Sequence, residues 1–140
     1  LTHLSMAWSE SDSYVLILDN PEITQVALDF LVTTDMVQIW HNLSYDAKHI
    51  VYHTGQFPKN YEDTQIFAKT LLNHVKTFKA NTGLKELAGS AYGSWAISPD
   101  MFDTSQMHEP SVLKYAATDA CATMWVWNHI HSFLQEQSDE

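Results

Sequence analysis

The stretch Met36-Val37-Gln38-Ile39-Trp40-His41-Asn42-Leu43-Ser44-Tyr45-Asp46 decides the class of fold. Met36 to Trp40 reads as a short buried strand, and a helix is predicted to follow directly, from about Ser44 to Thr54. A strand feeding a helix through so short a turn is the unit of α/β proteins, whose ligands gather at the carboxyl ends of strands. Asp46 falls in the first turn of that helix, where the helix dipole keeps a carboxylate ionised. Two readings of Asp46 stand at this point: an ordinary helix-start aspartate, or a group that handles a ligand.

Upstream, Thr2 to Trp8 and Tyr14 to Leu18 are β-rich runs separated by the polar Ser9-Glu10-Ser11-Asp12-Ser13, which predicts a hairpin. Asn20 followed by Pro21 supplies a cap and a proline at the first helical position. Ile23, Val26, Ala27, Phe30 and Leu31 then repeat at helical spacing to about Thr34. Downstream, a helix is predicted from Thr64 to about Asn73 with Asp63 as its cap. Lys76 to Thr82 reads as a basic connector, Gly83 to Tyr92 as a short helix and Gly93 to Glu109 as a loop. A long helix closes the chain from Pro110 to Phe133. The order β-β-α-β-α-α-α-α implies a sheet with helices against it, in one domain spanning residues 1–140.

The long helix carries two apolar stripes. Leu113, Ala116, Ala117, Ala120, Met124 and Trp127 form one, and Val112, Ala122, Val126, Ile130 and Phe133 form the other. Tyr115 and Asp119, one turn apart, fall within the second stripe, so a phenol and a carboxylate stand side by side in apolar surroundings. A carboxylate there requires a partner. A structural Tyr115–Asp119 hydrogen bond and a metal or catalytic role both satisfy that need.

Composition narrows the classes. Hydrophobic residues make up 45% and charged residues 17%, a globular balance in a chain long enough for one core. The lone Cys121 excludes an internal disulfide, and the absence of a signal pattern or an 18-residue apolar run points to a soluble intracellular protein with no membrane role. With seven Lys and Arg against seventeen Asp and Glu, the net charge is −10. General phosphate-backbone affinity is therefore not expected, and any traffic with nucleic acid needs metal ions or a partner to supply positive charge.

The wording of the two acidic segments sharpens both readings. His41-Asn42-Leu43-Ser44-Tyr45-Asp46 resembles the second motif of the DEDD exonucleases of family A polymerases and RNase D-like enzymes, and Tyr115-Ala116-Ala117-Thr118-Asp119-Ala120 resembles the third. Between them, Asp63-Thr64-Gln65 and Gly83-Leu84-Lys85-Glu86-Leu87-Ala88 resemble the two intervening family segments in the right order. Tyrosine four residues before the last aspartate marks the DEDDy subgroup, while Lys114 stands where the DEDDh subgroup has histidine. The resemblance implies an RNase H-like mixed sheet flanked by helices and a 3'→5' exonuclease, proofreading for a DNA polymerase, that uses two Mg²⁺ or Mn²⁺ ions. By the same resemblance Asp119 ligates the tightly held ion, Asp46 holds the second through water, Tyr115 orients the attacking water, and Asn42 contacts the 3'-terminal nucleotide. The implied partners are a single-stranded DNA 3' end and the polymerase domain of the same parent protein, and the implied location is the cytoplasm, in a nucleoid-associated or viral replication complex.

One family feature is missing. The first motif, Asp-x-Glu on a central strand, does not occur in the sequence; Glu10-Ser11-Asp12 is reversed and lies in the predicted hairpin turn. The chain resembles the family from its second strand onward, so the sheet is expected to lack the first strand. Buried strand edges need partners, which implies that upstream residues, a second copy of the chain or a rearranged sheet fills the gap. Little activity is expected of the chain alone. A non-catalytic nuclease fold used for binding and an RNase D-like exoribonuclease are the competing readings. His49 and His53 have zinc-like spacing without the glutamate or a third ligand, and Trp125, Trp127 and Phe133 read as core.

Overall fold

The computed structural model describes residues 2–72, 84–93, 95 and 107–138. The basic connector, Asn73, Gly83 and most of the 93–109 loop lie outside the described residues. The elements are β1 (His3–Ala7), β2 (Ser13–Ile17), α1 (Pro21–Thr33), β3 (Gln38–Trp40), α2 (Leu43–Thr54), β4 (Tyr61–Asp63), α3 (Thr64–Leu72), α4 (Leu84–Tyr92) and α5 (Pro110–Ser138).

The predicted hairpin forms. β1 and β2 pair antiparallel with Leu4 opposite Leu16 and Met6 opposite Tyr14. Its turn is organised by Ser9, whose Oγ accepts the backbone N–H groups of Ser11 and Asp12 at 3.2 and 2.9 Å. Such local side-chain bonds let a polar loop turn without a ladder partner. At the start of α1, Asn20 Oδ1 accepts the Glu22 N–H at 2.8 Å and Pro21 occupies the first turn, as the sequence implies.

The inward face of α1 keeps Ala27 and Leu31 of the predicted apolar set and not the rest. Ala27, Leu28, Leu31 and Val32 are buried, while Ile23, Val26 and Phe30 are exposed. Both sets obey helical spacing, and only the position of α2 selects between them. α1 and α2 close on a core of Leu28, Leu31, Val32, Leu43, Ala47 and Ile50, with Leu4 of β1 and Trp40 of β3 packed against it. β3 also corrects its prediction. It covers only Gln38 to Trp40, with Met36 and Val37 68% and 62% exposed ahead of it. It pairs in parallel with β4, a strand of three residues that has no sequence periodicity to reveal it.

The predicted mixed sheet is present as two separate pairs among the described residues, β1–β2 and β3–β4. α5 unites them: it packs against β1, β2 and β3 on the sheet side and against α3 and α4 elsewhere. That double duty explains the two apolar stripes, and the helix runs to Ser138, five residues beyond its predicted end. Small residues let α4 and α5 approach closely, since Ala88 and Ala122 are fully buried in a cluster with Leu84 and Val126, flanked by Leu87, Tyr92, Trp95 and Trp125. Trp127 meets Phe67 of α3 edge-on, with ring centres 5.8 Å apart. Among the described residues no helix is long and apolar enough to cross a membrane.

Candidate active site

The turn between β3 and α2 places Asn42 and Asp46. Asn42 adopts the left-handed conformation at φ 62°, which asparagine tolerates better than most side chains. Its own side chain does not cap the helix. The cap comes instead from Asp63 at the end of β4, which is 6% exposed. Asp63 Oδ1 accepts the Asn42 N–H at 3.0 Å and Oδ2 accepts the Leu43 N–H at 2.8 Å. Oδ1 also accepts the Gln65 N–H at 2.9 Å, so a single carboxylate caps α2 and α3 together. The sequence revealed the second cap and not the first, because the first joins residues 21 positions apart. Thr64, fully buried beside it, donates to the Trp40 carbonyl at 3.1 Å and lies 2.7 Å from His41 Nδ1. This fixes the backbone on which Asn42 and Asp46 ride.

Asp119 is one of the charges that act on Asp46. Burial is the largest influence raising Asp46 above the usual carboxylate value; His49 and Lys48 work against it, and the charges of Asp119 and Asp63 add to it. An Asp119 carboxylate able to raise Asp46 shares its local field, although the two residues come from helices far apart in the chain.

Tyr115 and Asp119 project from α5 toward α4. Both are half-buried, and the partner that a carboxylate in this position requires comes from α4. Lys85 of α4 joins the pair: its Nζ donates to the Tyr115 hydroxyl at 2.5 Å and to Asp119 Oδ1 at 3.1 Å. The same Oδ1 accepts Trp95 Nε1–H at 2.8 Å. The ammonium lies 4.4 Å from the Tyr115 ring centre and 5.6 Å from that of Trp95. Burial alone pulls Lys85 downward, but the bond to Tyr115 and the charge of Asp119 outweigh it and hold the ammonium above its ordinary pKa. Sequence reasoning missed Lys85 and Trp95 as site residues; Lys85 stood within a quoted segment, but a lysine on a short helix carries no signal of its own.

The donor set suits a hard divalent cation. Mg²⁺ and Mn²⁺ prefer oxygen, and Mg²⁺ is commonly held by one or two carboxylates with waters and substrate phosphates completing its shell. Asp46 and Asp119 offer two carboxylates, the charge of the second acting on the first, and Asp119 already pairs with the Lys85 ammonium. Among the described residues no three His, Cys, Asp or Glu side chains converge as a ligand cluster.

The class follows from the mixed α/β fold together with a comparison of the sequence. Residues 2–135 match the 3'-5' exonuclease domain found in A-type DNA polymerases, and the chain belongs to that family. The family carries out hydrolysis at DNA 3' ends and is typically dependent on divalent metal. A search of curated proteins gave no match.

Proposed function

We propose that the chain is the proofreading module of a DNA polymerase, removing the 3'-terminal nucleotide of single-stranded DNA by metal-assisted hydrolysis within a cytoplasmic replication complex. The observation that carries this reading is the Tyr115–Asp119 pair on α5, bridged by Lys85, with the charge of Asp119 felt at Asp46. Asp119 and Asp46 would hold Mg²⁺ or Mn²⁺, which supplies Lewis-acid stabilisation of charge at the scissile phosphate and a more acidic water. The Tyr115 hydroxyl orients the attacking water. Asn42, held in its left-handed turn by Asp63, presents its side chain to the terminal nucleotide. The acidic chain disfavours bare phosphate, so substrate binding depends on the cation and on stacking of unpaired bases.

Two carboxylates are fewer than the family's set, and the chain by itself is expected to shorten DNA slowly or not at all. The test supplies the missing groups: the chain extended at its N-terminus by an apolar strand bearing Asp-x-Glu, given a 5'-labelled single-stranded oligonucleotide and Mg²⁺. Stepwise loss of single nucleotides from the 3' end is expected, falling at least about a hundredfold in Asp119→Ala. Internal cuts, or equal activity in Asp119→Ala, refute the reading. A non-catalytic module is the second reading, favoured by the Lys85 ion pair on Asp119; it predicts that the extended chain binds single strands without shortening them.

A further inference from the structure

Asp119 Oδ1 is doubly engaged, by Lys85 and by Trp95. A carboxylate oxygen offers two lone pairs, so both are committed to N–H donors. A divalent ion arriving at this oxygen must take a lone pair that one donor now uses, and Lys85 is also a like charge. Trp95 is neutral and Lys85 is not, so Lys85 is the donor whose charge opposes cation entry at either carboxylate oxygen. Its place is built and not incidental: the ammonium is enclosed by the Tyr115 ring, the Trp95 ring and the carboxylate, with both charged side chains only about a third exposed. An isolated surface pair would carry little weight, but this one has a second hydrogen bond and two aromatic faces.

We infer that Lys85 is the counter-cation of Asp119 and competes with a divalent ion for that carboxylate, setting how tightly the site takes the ion. This rests on the metal-site reading above. Lys85 keeps the Tyr115 hydroxyl as a second partner, so leaving Oδ1 does not strand its charge. Its four-carbon stem allows that movement without any shift of α4. The arrangement keeps Asp119 neutralised until a cation arrives and ties cation entry to a side chain that also touches Tyr115.

The inference is tested without DNA and without turnover, by titrating Mn²⁺ into the full chain and following free Mn²⁺ by electron paramagnetic resonance. Lys85→Met is expected to bind Mn²⁺ about tenfold more tightly than the wild type, because the competing charge is gone. Lys85→Gln, which keeps a polar donor and is the safer fold, is expected to move the same way. Lys85→Arg retains the charge and is expected to stay near the wild type, a pattern that a purely structural role would not produce. Unchanged or weaker Mn²⁺ binding in both neutral variants, with binding still lost in Asp119→Asn, overturns the role of Lys85 alone. No binding in any protein, or binding that survives Asp119→Asn, overturns the metal site itself and the proposed function with it.

Discussion

Asp46 is the residue at which the cost of building the site is most visible. Burial and the nearby charges of Asp119 and Asp63 oppose its ionisation, and His49 and Lys48 compensate incompletely. The unfolded chain ionises Asp46 near 3.8, while the folded chain holds the proton to higher pH. Protonation therefore favours the folded state: this contribution to stability is full below the unfolded pKa and is lost as pH rises through the folded one. In metal-free buffer, urea midpoints taken from about pH 4 to pH 8 are expected to fall less steeply in Asp46→Asn than in the wild type, and the variant should be the more stable protein at neutrality. A steeper fall, or a less stable variant at neutral pH, would show that Asp46 is stabilised as an anion by its neighbours. Asp46, Tyr115, Asp119 and Asn42 stand out in the sequence as candidates because each lies inside a short local motif. Lys85 and Trp95 were not identified as site residues, since their importance lies in contacts to Asp119 across 34 and 24 positions of chain.

At the scale of elements, the starts of α2 and α3 depend on one side chain. Asp63 satisfies three backbone N–H groups from two helices while almost fully buried, and Asn42 in its strained turn has no cap of its own. Removing the carboxylate leaves buried donors unpaired at two helix ends. Asp63→Ala is expected to lower the unfolding free energy by about 2–4 kcal/mol, above the usual loss of a single cap. Asp63→Asn should recover part of that, because its one carbonyl oxygen can serve only some of the three donors. Urea denaturation with an unchanged slope checks both, and a loss in Asp63→Ala no larger than that for an exposed cap would mean that the helix starts are held by something else. The hairpin, the α1 cap and the position of every described helix were readable from turn residues, proline and spacing. The inward face of α1 was readable only at Ala27 and Leu31, because Ile23-Val26-Phe30 and Leu28-Leu31-Val32 both repeat at helical spacing and only α2 decides between them. β4 was invisible, since three residues cannot display a period of two.

At the largest scale, the described residues are organised around a divided sheet. β1 and β3 each have one strand partner among the described residues, and each lays a side chain, Leu4 and Trp40, on the same core cluster while packing against α5. Two-stranded sheets are marginal alone, and the remaining edges of β1 and β3 carry backbone groups able to pair with another strand. A strand joining them would complete one mixed sheet over α5. The isolated chain is therefore expected to recruit a second copy, against a self-repulsion set by its net charge of −10. Screening weakens that repulsion within a length of about 30 Å at 0.01 M salt and about 10 Å at 0.1 M, so added salt should promote association. Sedimentation velocity over a range of concentrations is expected to show a monomer giving way to a larger species, earlier at high salt than at low. The chain extended by an N-terminal Asp-x-Glu strand should remain monomeric under the same conditions, because its edges are already paired. If the unextended chain stays monomeric at every concentration and salt, and the backbone amides along the outer edges of β1 and β3 exchange slowly, those edges are already satisfied and the divided sheet needs no added strand.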